Sequence, residues 1–160
     1  MNISTTIIGL AVLSLFIIPV FIIAKTKKKK IESLKNDLLY EAKKAGITIA
    51  DTDNWNDSIL GIDEKNETII YIDENRDEKE IRVFNINDVK SVRFFPDITK
   101  KNSNPDYKKE PKLCISFFFK DPAKSEVNLE FFTAGFGELS KKEQNLFEKW
   151  THKVKKFKTA

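Results

Sequence analysis

From Ile3 to Ala24 the chain runs for 22 residues without a charged side chain, and 16 of them are Ile, Leu, Val, Phe or Ala. A helix rises about 1.5 Å per residue, so a run of this length spans roughly the 30 Å hydrocarbon core of a bilayer. The rival reading is a cleaved signal peptide, which requires a basic leading region, a shorter apolar stretch and a small-x-small cleavage site. Residues 1–6 contain no Lys or Arg, and the run ends on lysines where cleavage would fall. The pattern predicts an uncleaved transmembrane anchor over residues 1–24, with Pro19 tolerated inside it as a kink. Gly9, Ala11 and Ser14 are small enough for close helix contact but form no GxxxG pair.

Lys25, Lys27, Lys28, Lys29 and Lys30 follow the run directly, and none precedes it. The positive-inside bias then places the N-terminus outside and the rest of the chain in the cytoplasm, at the cell inner membrane. These five lysines are candidate membrane-surface residues, each contributing about 1 kcal/mol near anionic headgroups. The bilayer is thus the first partner expected, and an unidentified protein at the cytoplasmic face the second.

The lysine block also explains the overall charge. Of the formal +4, residues 25–30 supply +5 and residues 141–160 another +5, whereas residues 31–140 hold 16 basic against 22 acidic side chains. An acidic body repels a phosphate backbone, so a nucleic-acid partner is excluded despite the basic average. One Cys and one His exclude a disulfide framework and any thiolate-cluster or poly-His metal site within one chain.

Residues 31–45 place Ile31, Leu34, Leu38, Ala42 and Ala45 at intervals of three and four, with Gly46 where a C-terminal cap belongs. This predicts a short amphipathic helix in a basic juxtamembrane segment, residues 25–46. Past Gly46 come short Ile-, Val- and Phe-rich runs between charged turns, the pattern of antiparallel strands. The expected strands are Ser58–Ile62, Thr68–Asp73, Glu80–Asn85, Val89–Phe95, Lys112–Lys120 and Val127–Thr133, with a seventh at Ile47–Ala50. Alternation at Ile81 and Val83, and at Val127, Leu129 and Phe131, gives these strands one wet face. At the end, Ser140 and Glu143 fit a capping box. Phe147, Trp150, Val154 and Phe157 then recur at three and four residues as the apolar face of a helix.

Strands closed off by one amphipathic, tryptophan-bearing helix form the order of elements that resembles a pleckstrin-homology-like (PH-like) domain. The stretch from Trp55 through SILGID, TIIYID and FNINDVKSVRF resembles small single-pass bacterial membrane proteins with one such domain after the anchor. The resemblance implies an α+β chain. A transmembrane helix and a short amphipathic helix would precede a PH-like antiparallel β-barrel of six or seven strands over residues 47–160, with Phe147, Trp150, Val154 and Phe157 of the C-terminal helix capping the barrel core. The first hairpin, GIDEKNET, carries Asp63, Glu64 and Glu67 against Lys65 alone. Phosphoinositide-binding domains set spaced cations there, so the implied role is protein contact in place of inositol-phosphate binding.

No residue pattern points to catalysis or to a cofactor. Asp51, Asp53 and Asp57 are the best cluster for a hard cation, and they carry the alternative of a small metal-dependent enzyme. An EF-hand would need an oxygen ligand at Trp55, Gly at Asn56 and Glu at Ile62, so a solvated turn is the expected state. His152 lacks a visible partner for acid–base work, and Cys114 lies in an apolar run where a thiol packs as a small hydrophobe. Gly135 and Gly137 read as a flexible turn, and the sequons at Asn2 and Asn66 as chance matches. The polar connection over residues 96–111 is the expected contact surface for a protein partner, through Lys100, Lys101, Tyr107, Lys108 and Lys109. The reading is a membrane-anchored, non-catalytic interaction module, or an accessory subunit of a membrane complex.

Overall fold

The structure, a computed structural model, describes residues 3–74, 79–95, 112–133 and 139–159, without the side chains of 3–18, 20, 21, 23, 158 and 159. Helix α1 (Ile3–Ala45) runs unbroken through the boundary expected at residue 24. Among the described residues no helix is long and apolar enough to cross a membrane. This finding corrects the expected anchor, and with it the single-pass, N-outside placement at the inner membrane. What is described of α1 from Ala24 onward carries eleven charged side chains in 22 residues, too many for a hydrocarbon interior. The separate amphipathic helix expected at 31–45 is the last part of this one helix.

α1 stops where its sequence provides a left-handed residue. Gly46 sits at φ +68°, its N–H donates to the Lys43 carbonyl at 3.2 Å, and Ile47 N–H donates to the Ala42 carbonyl at 3.0 Å. These two bonds satisfy carbonyls that the helix end leaves unpaired. Leu34, Leu38 and Ala42 are buried on Ile59, Ile70 and Ile72, with Ile47 and Ile49 alongside.

The seven described strands are β1 (Asp51–Trp55), β2 (Ser58–Asp63), β3 (Thr68–Asp73), β4 (Glu80–Asn85), β5 (Val89–Phe95), β6 (Lys112–Phe119) and β7 (Val127–Thr133), and α2 (Lys141–Thr159) follows them. They form two antiparallel sheets, β1-β2-β3-β4 and β5-β6-β7, in an α+β fold. A closed barrel was expected, but the two sheets do not close into one. Between β1 and β7 the described link is a side-chain bond, Trp55 Nε1 donating to the Glu130 carbonyl at 2.8 Å. The Trp55 and Phe131 rings stack between those two edges with centroids 4.3 Å apart. The main core lies between the sheets and under α2, and includes Trp55, Leu60, Tyr71, Ile115, Phe117, Phe131, Phe147, Trp150 and Val154.

The faces of β4 are reversed from the simple alternation reading. Register pairs Ile72 with Ile81 and Ile70 with Val83, on the side where α1 covers β3, while Tyr71 pairs with Arg82 on the inter-sheet side. Because α1 seats on β2 and β3, Ile81 and Val83 remain 40% and 42% exposed.

The β2–β3 hairpin is closed by Asp63. Its Oδ1 accepts from the backbone N–H groups of Lys65 (2.9 Å) and Asn66 (3.0 Å), and its Oδ2 from Thr48 N–H (2.9 Å) and Asn66 Nδ2 (2.7 Å). Led by the Asn66 and Thr48 backbone donors, these bonds hold the carboxyl at about 2, below its ordinary 3.8. A depressed folded-state pKa contributes stability above the unfolded value that is lost as pH falls through the folded one. Asp63→Asn is therefore expected to lower the urea midpoint at neutral pH, and the gap to the wild-type protein should close between about pH 4 and pH 2. A gap of constant size across that range would show that the ionised form is not what the loop stabilises.

Candidate functional site

The acidic segment expected to be a turn or a cation site is strand β1. Asp51 and Asp53 occupy alternate positions on it, and α2 brings Lys149 and Lys153 over both. Lys149 Nζ lies 2.9 Å from Asp51 and 2.6 Å from Asp53, and Lys153 Nζ lies 2.8 Å from Asp51 and 2.7 Å from Glu64. Trp150 Nε1 donates to Asp53 Oδ2 at 2.9 Å. Partial burial pushes the Asp51 carboxyl up, but hydrogen bonds from Lys153 and Lys149 outweigh it and hold the group below its ordinary value. Partial burial lowers both lysines, but hydrogen bonds to Asp53 and Asp51 at Lys149, and to Asp51 and Glu64 at Lys153, outweigh it and raise both. Asp57 pairs with Lys30 at 2.9 Å. The three carboxylates thus take lysine partners from two helices. Among the described residues no group of three His, Cys, Asp or Glu side chains could hold a metal ion.

The structure places the helix residues singled out by spacing at this junction. Phe147, Trp150 and Val154 are buried, Phe157 packs partly buried against the same core, and the Phe131 and Phe147 rings meet edge-on at 5.8 Å. The capping pair is formed, with Ser140 N–H donating to Glu143 Oε2 at 2.9 Å and Glu143 N–H to Ser140 Oγ at 3.3 Å. Lys25, Lys27, Lys28, Lys29 and Lys30 lie on α1, the first four exposed. Lys100, Lys101, Tyr107, Lys108 and Lys109 lie outside the described residues, as do Gly135, Gly137 and Asn2. His152 is exposed on α2. Cys114 is buried, which pushes its thiol above the ordinary value, and its Sγ lies 3.7 Å from Ser116 Oγ.

A polar cleft of about 200 Å³ opens where β3 and β4 part from the start of β7. Its lining includes Tyr71, Asp73, Glu80, Arg82, Glu126, Asn128 and Glu130. At its floor the Tyr71 hydroxyl donates to Asp73 Oδ2 at 3.2 Å, and Ser58 Oγ donates to Asp73 Oδ1 at 3.1 Å. Burial, partly offset by the Ser58 hydrogen bond and reinforced by the Asp73 charge, keeps the Tyr71 phenol well above its ordinary value. It stays protonated and donating. Arg82 is held by Glu80 at 2.6 Å, and Glu130 pairs with Lys112 on the neighbouring strand at 2.5 Å. Among the described residues four carboxylates therefore line the cleft, Glu80 paired with the one lining guanidinium and Glu130 with Lys112.

Sequence reasoning missed this site because its parts lie on strands far apart in the chain. The available signal was the shared alternation of Glu80 with Arg82 and of Glu126, Asn128 and Glu130, which reads equally well as an ordinary solvated face.

Comparison with known proteins returns no family model, no curated protein and no solved structure that matches the chain.

Proposed function

We propose that this protein is a non-catalytic interaction module of PH-like element order, whose acidic cleft receives a lysine- or arginine-bearing segment of a protein partner. The observation that carries the reading is the cleft's charge: among the described residues Asp73, Glu80, Glu126 and Glu130 line it, and the one cation in that lining, Arg82, is paired with Glu80. A cationic side chain entering there gains charge-assisted hydrogen bonds to groups already held in place, so little ordering cost opposes binding. The same lining argues against phosphate-bearing ligands. Seven antiparallel strands followed by a helix that carries a buried tryptophan support the PH-like reading. The non-catalytic reading draws on what surrounds the reactive groups. The Tyr71 phenol is buried and protonated, the Cys114 thiol is buried with a raised pKa, and the His152 imidazole lies on an exposed helix face.

Glu126 is exposed at the cleft mouth, so its replacement tests the site without disturbing the core. In fluorescence anisotropy an Arg/Lys-rich peptide is expected to bind, and its Glu-substituted counterpart is not. Glu126→Lys should weaken binding by about tenfold, the loss of roughly 1.4 kcal/mol. A basic peptide bound equally well by Glu126→Lys would remove the cleft from the reading.

A further inference from the structure

We infer that the free edge of β4 is a self-association surface, and that its occupant is β4 of a second copy of this chain. Among the described strands β4 pairs only with β3, so its outer row of N–H and C=O groups has no ladder partner there. Such edges are usually guarded, and inward-facing charges are one common guard. Glu80 and Arg82 are charges of that kind, 35% and 42% exposed, yet they have opposite sign and stand two residues apart. An antiparallel pairing of two β4 strands centred on Ile81 sets Glu80 of each copy opposite Arg82 of the other. The charges that would repel a foreign strand are complementary to their own sequence.

The apolar side fits the same register. Directly opposite residues share a face in an antiparallel pair, so the two Ile81 side chains meet at the two-fold axis with Val83 diagonal to each. These are the aliphatics that α1 leaves half-exposed beside the layer it covers. Asp37 of α1 bonds Lys79 just before β4, so that flank of the helix faces the β4 edge. Association would join the two four-stranded sheets into one of eight. A two-fold axis perpendicular to the sheet presents both acidic clefts on the same side, although the pairing does not depend on what the clefts bind. One strand pair is small beside the roughly 1,200–2,000 Å² of standard interfaces, so the dimer should dissociate in the micromolar range.

Sedimentation equilibrium of the full chain in density-matched non-ionic detergent, without peptide, tests this. Between roughly 1 and 100 µM the average protein mass should climb from 18.5 kDa towards twice that value. Glu80→Arg and Arg82→Glu each place like charges opposite one another and should weaken association by about tenfold, while the double exchange should return it to within about threefold of wild type. A short bismaleimide should join Ile81→Cys chains to each other but not Lys90→Cys chains, and the native Cys114 is buried. Three results would each overturn the inference: a wild-type protein that stays monomeric throughout, single exchanges that leave the dimer unchanged, or a double exchange no better than the singles.

Discussion

Replacing Trp150 with Ala is expected to lower the free energy of unfolding by about 3–5 kcal/mol, the range for emptying a buried tryptophan site. Trp150 has no exposed surface, and its ring belongs to the core shared by both sheets. Lys149 and Lys153 approach that ring at 5.7 and 5.5 Å from its centroid, so the same side chain joins the apolar core to the ion-pair network on β1. Domains are stable by only about 5–15 kcal/mol, so this loss removes a large share and should lower the melting temperature by roughly 10 °C. Trp150→Phe separates the two contributions. It keeps much of the volume but removes the indole donor to Asp53, at a cost of about 1 kcal/mol. In urea unfolding, Trp150→Phe combined with Asp53→Asn should cost less than the sum of the two single changes, because both remove the same bond. Strict additivity would show that the Trp150–Asp53 bond does not hold α2 on β1.

α2 was legible because everything needed to specify it is local. Ser140 and Glu143 cap it across three residues, and the apolar positions repeat within about three turns. Strands β3, β4, β5 and β7 begin and end where composition places them, since β-branched and aromatic runs between polar turns are again a local signal. Asp51 and Asp53 mislead for the opposite reason. Three carboxylates in seven residues look like a cation site until lysines about a hundred residues later in the chain are laid across two of them. The basic C-terminus and the acidic body noted from composition are, at this junction, the two halves of one contact.

Strand β4 shows a different limit. Period-two alternation separates Glu80 and Arg82 from Ile81 and Val83, but it cannot say which set points between the sheets. That choice belongs to the neighbours. α1 covers β2 and β3 with Leu34 and Leu38 and stops short of β4, while the opposite face opens into the cleft. The apolar run at the start of α1 carries a related lesson. Length and hydropathy suggested an anchor with a boundary at residue 24, whereas helix propensity carries the backbone through the lysines to Gly46, where a glycine takes the left-handed conformation that ends it. The cleft was the least legible feature, because three strands of two sheets build it and no single segment shows its purpose.

Seating of α1 on β2 depends on one glycine, and a double-mutant cycle with Leu38 should reveal it. A Cβ at Gly61 would lie 3.0 Å from Leu38 Cδ2 and 3.2 Å from Ile49 Cδ1, closer than carbon atoms ordinarily approach. Gly61→Ala is therefore expected to destabilise by about 1–3 kcal/mol through overpacking, even though alanine suits a strand better than glycine does. Leu38 is 2% exposed between α1 and the sheet, so Leu38→Ala should cost about 2–5 kcal/mol through the cavity it leaves. Together the two changes relieve one another, because the new methyl occupies space that the leucine has vacated. The double variant should be more stable than the sum of the single effects predicts by about 1 kcal/mol or more, within the range for side chains in contact. Urea midpoints of the four proteins measure this directly, and amide hydrogen exchange over residues 31–45 should quicken in Leu38→Ala before exchange in β6 does. Additive costs, or equal exchange in both elements, would mean that the end of α1 is not held by the Leu38–Gly61 contact.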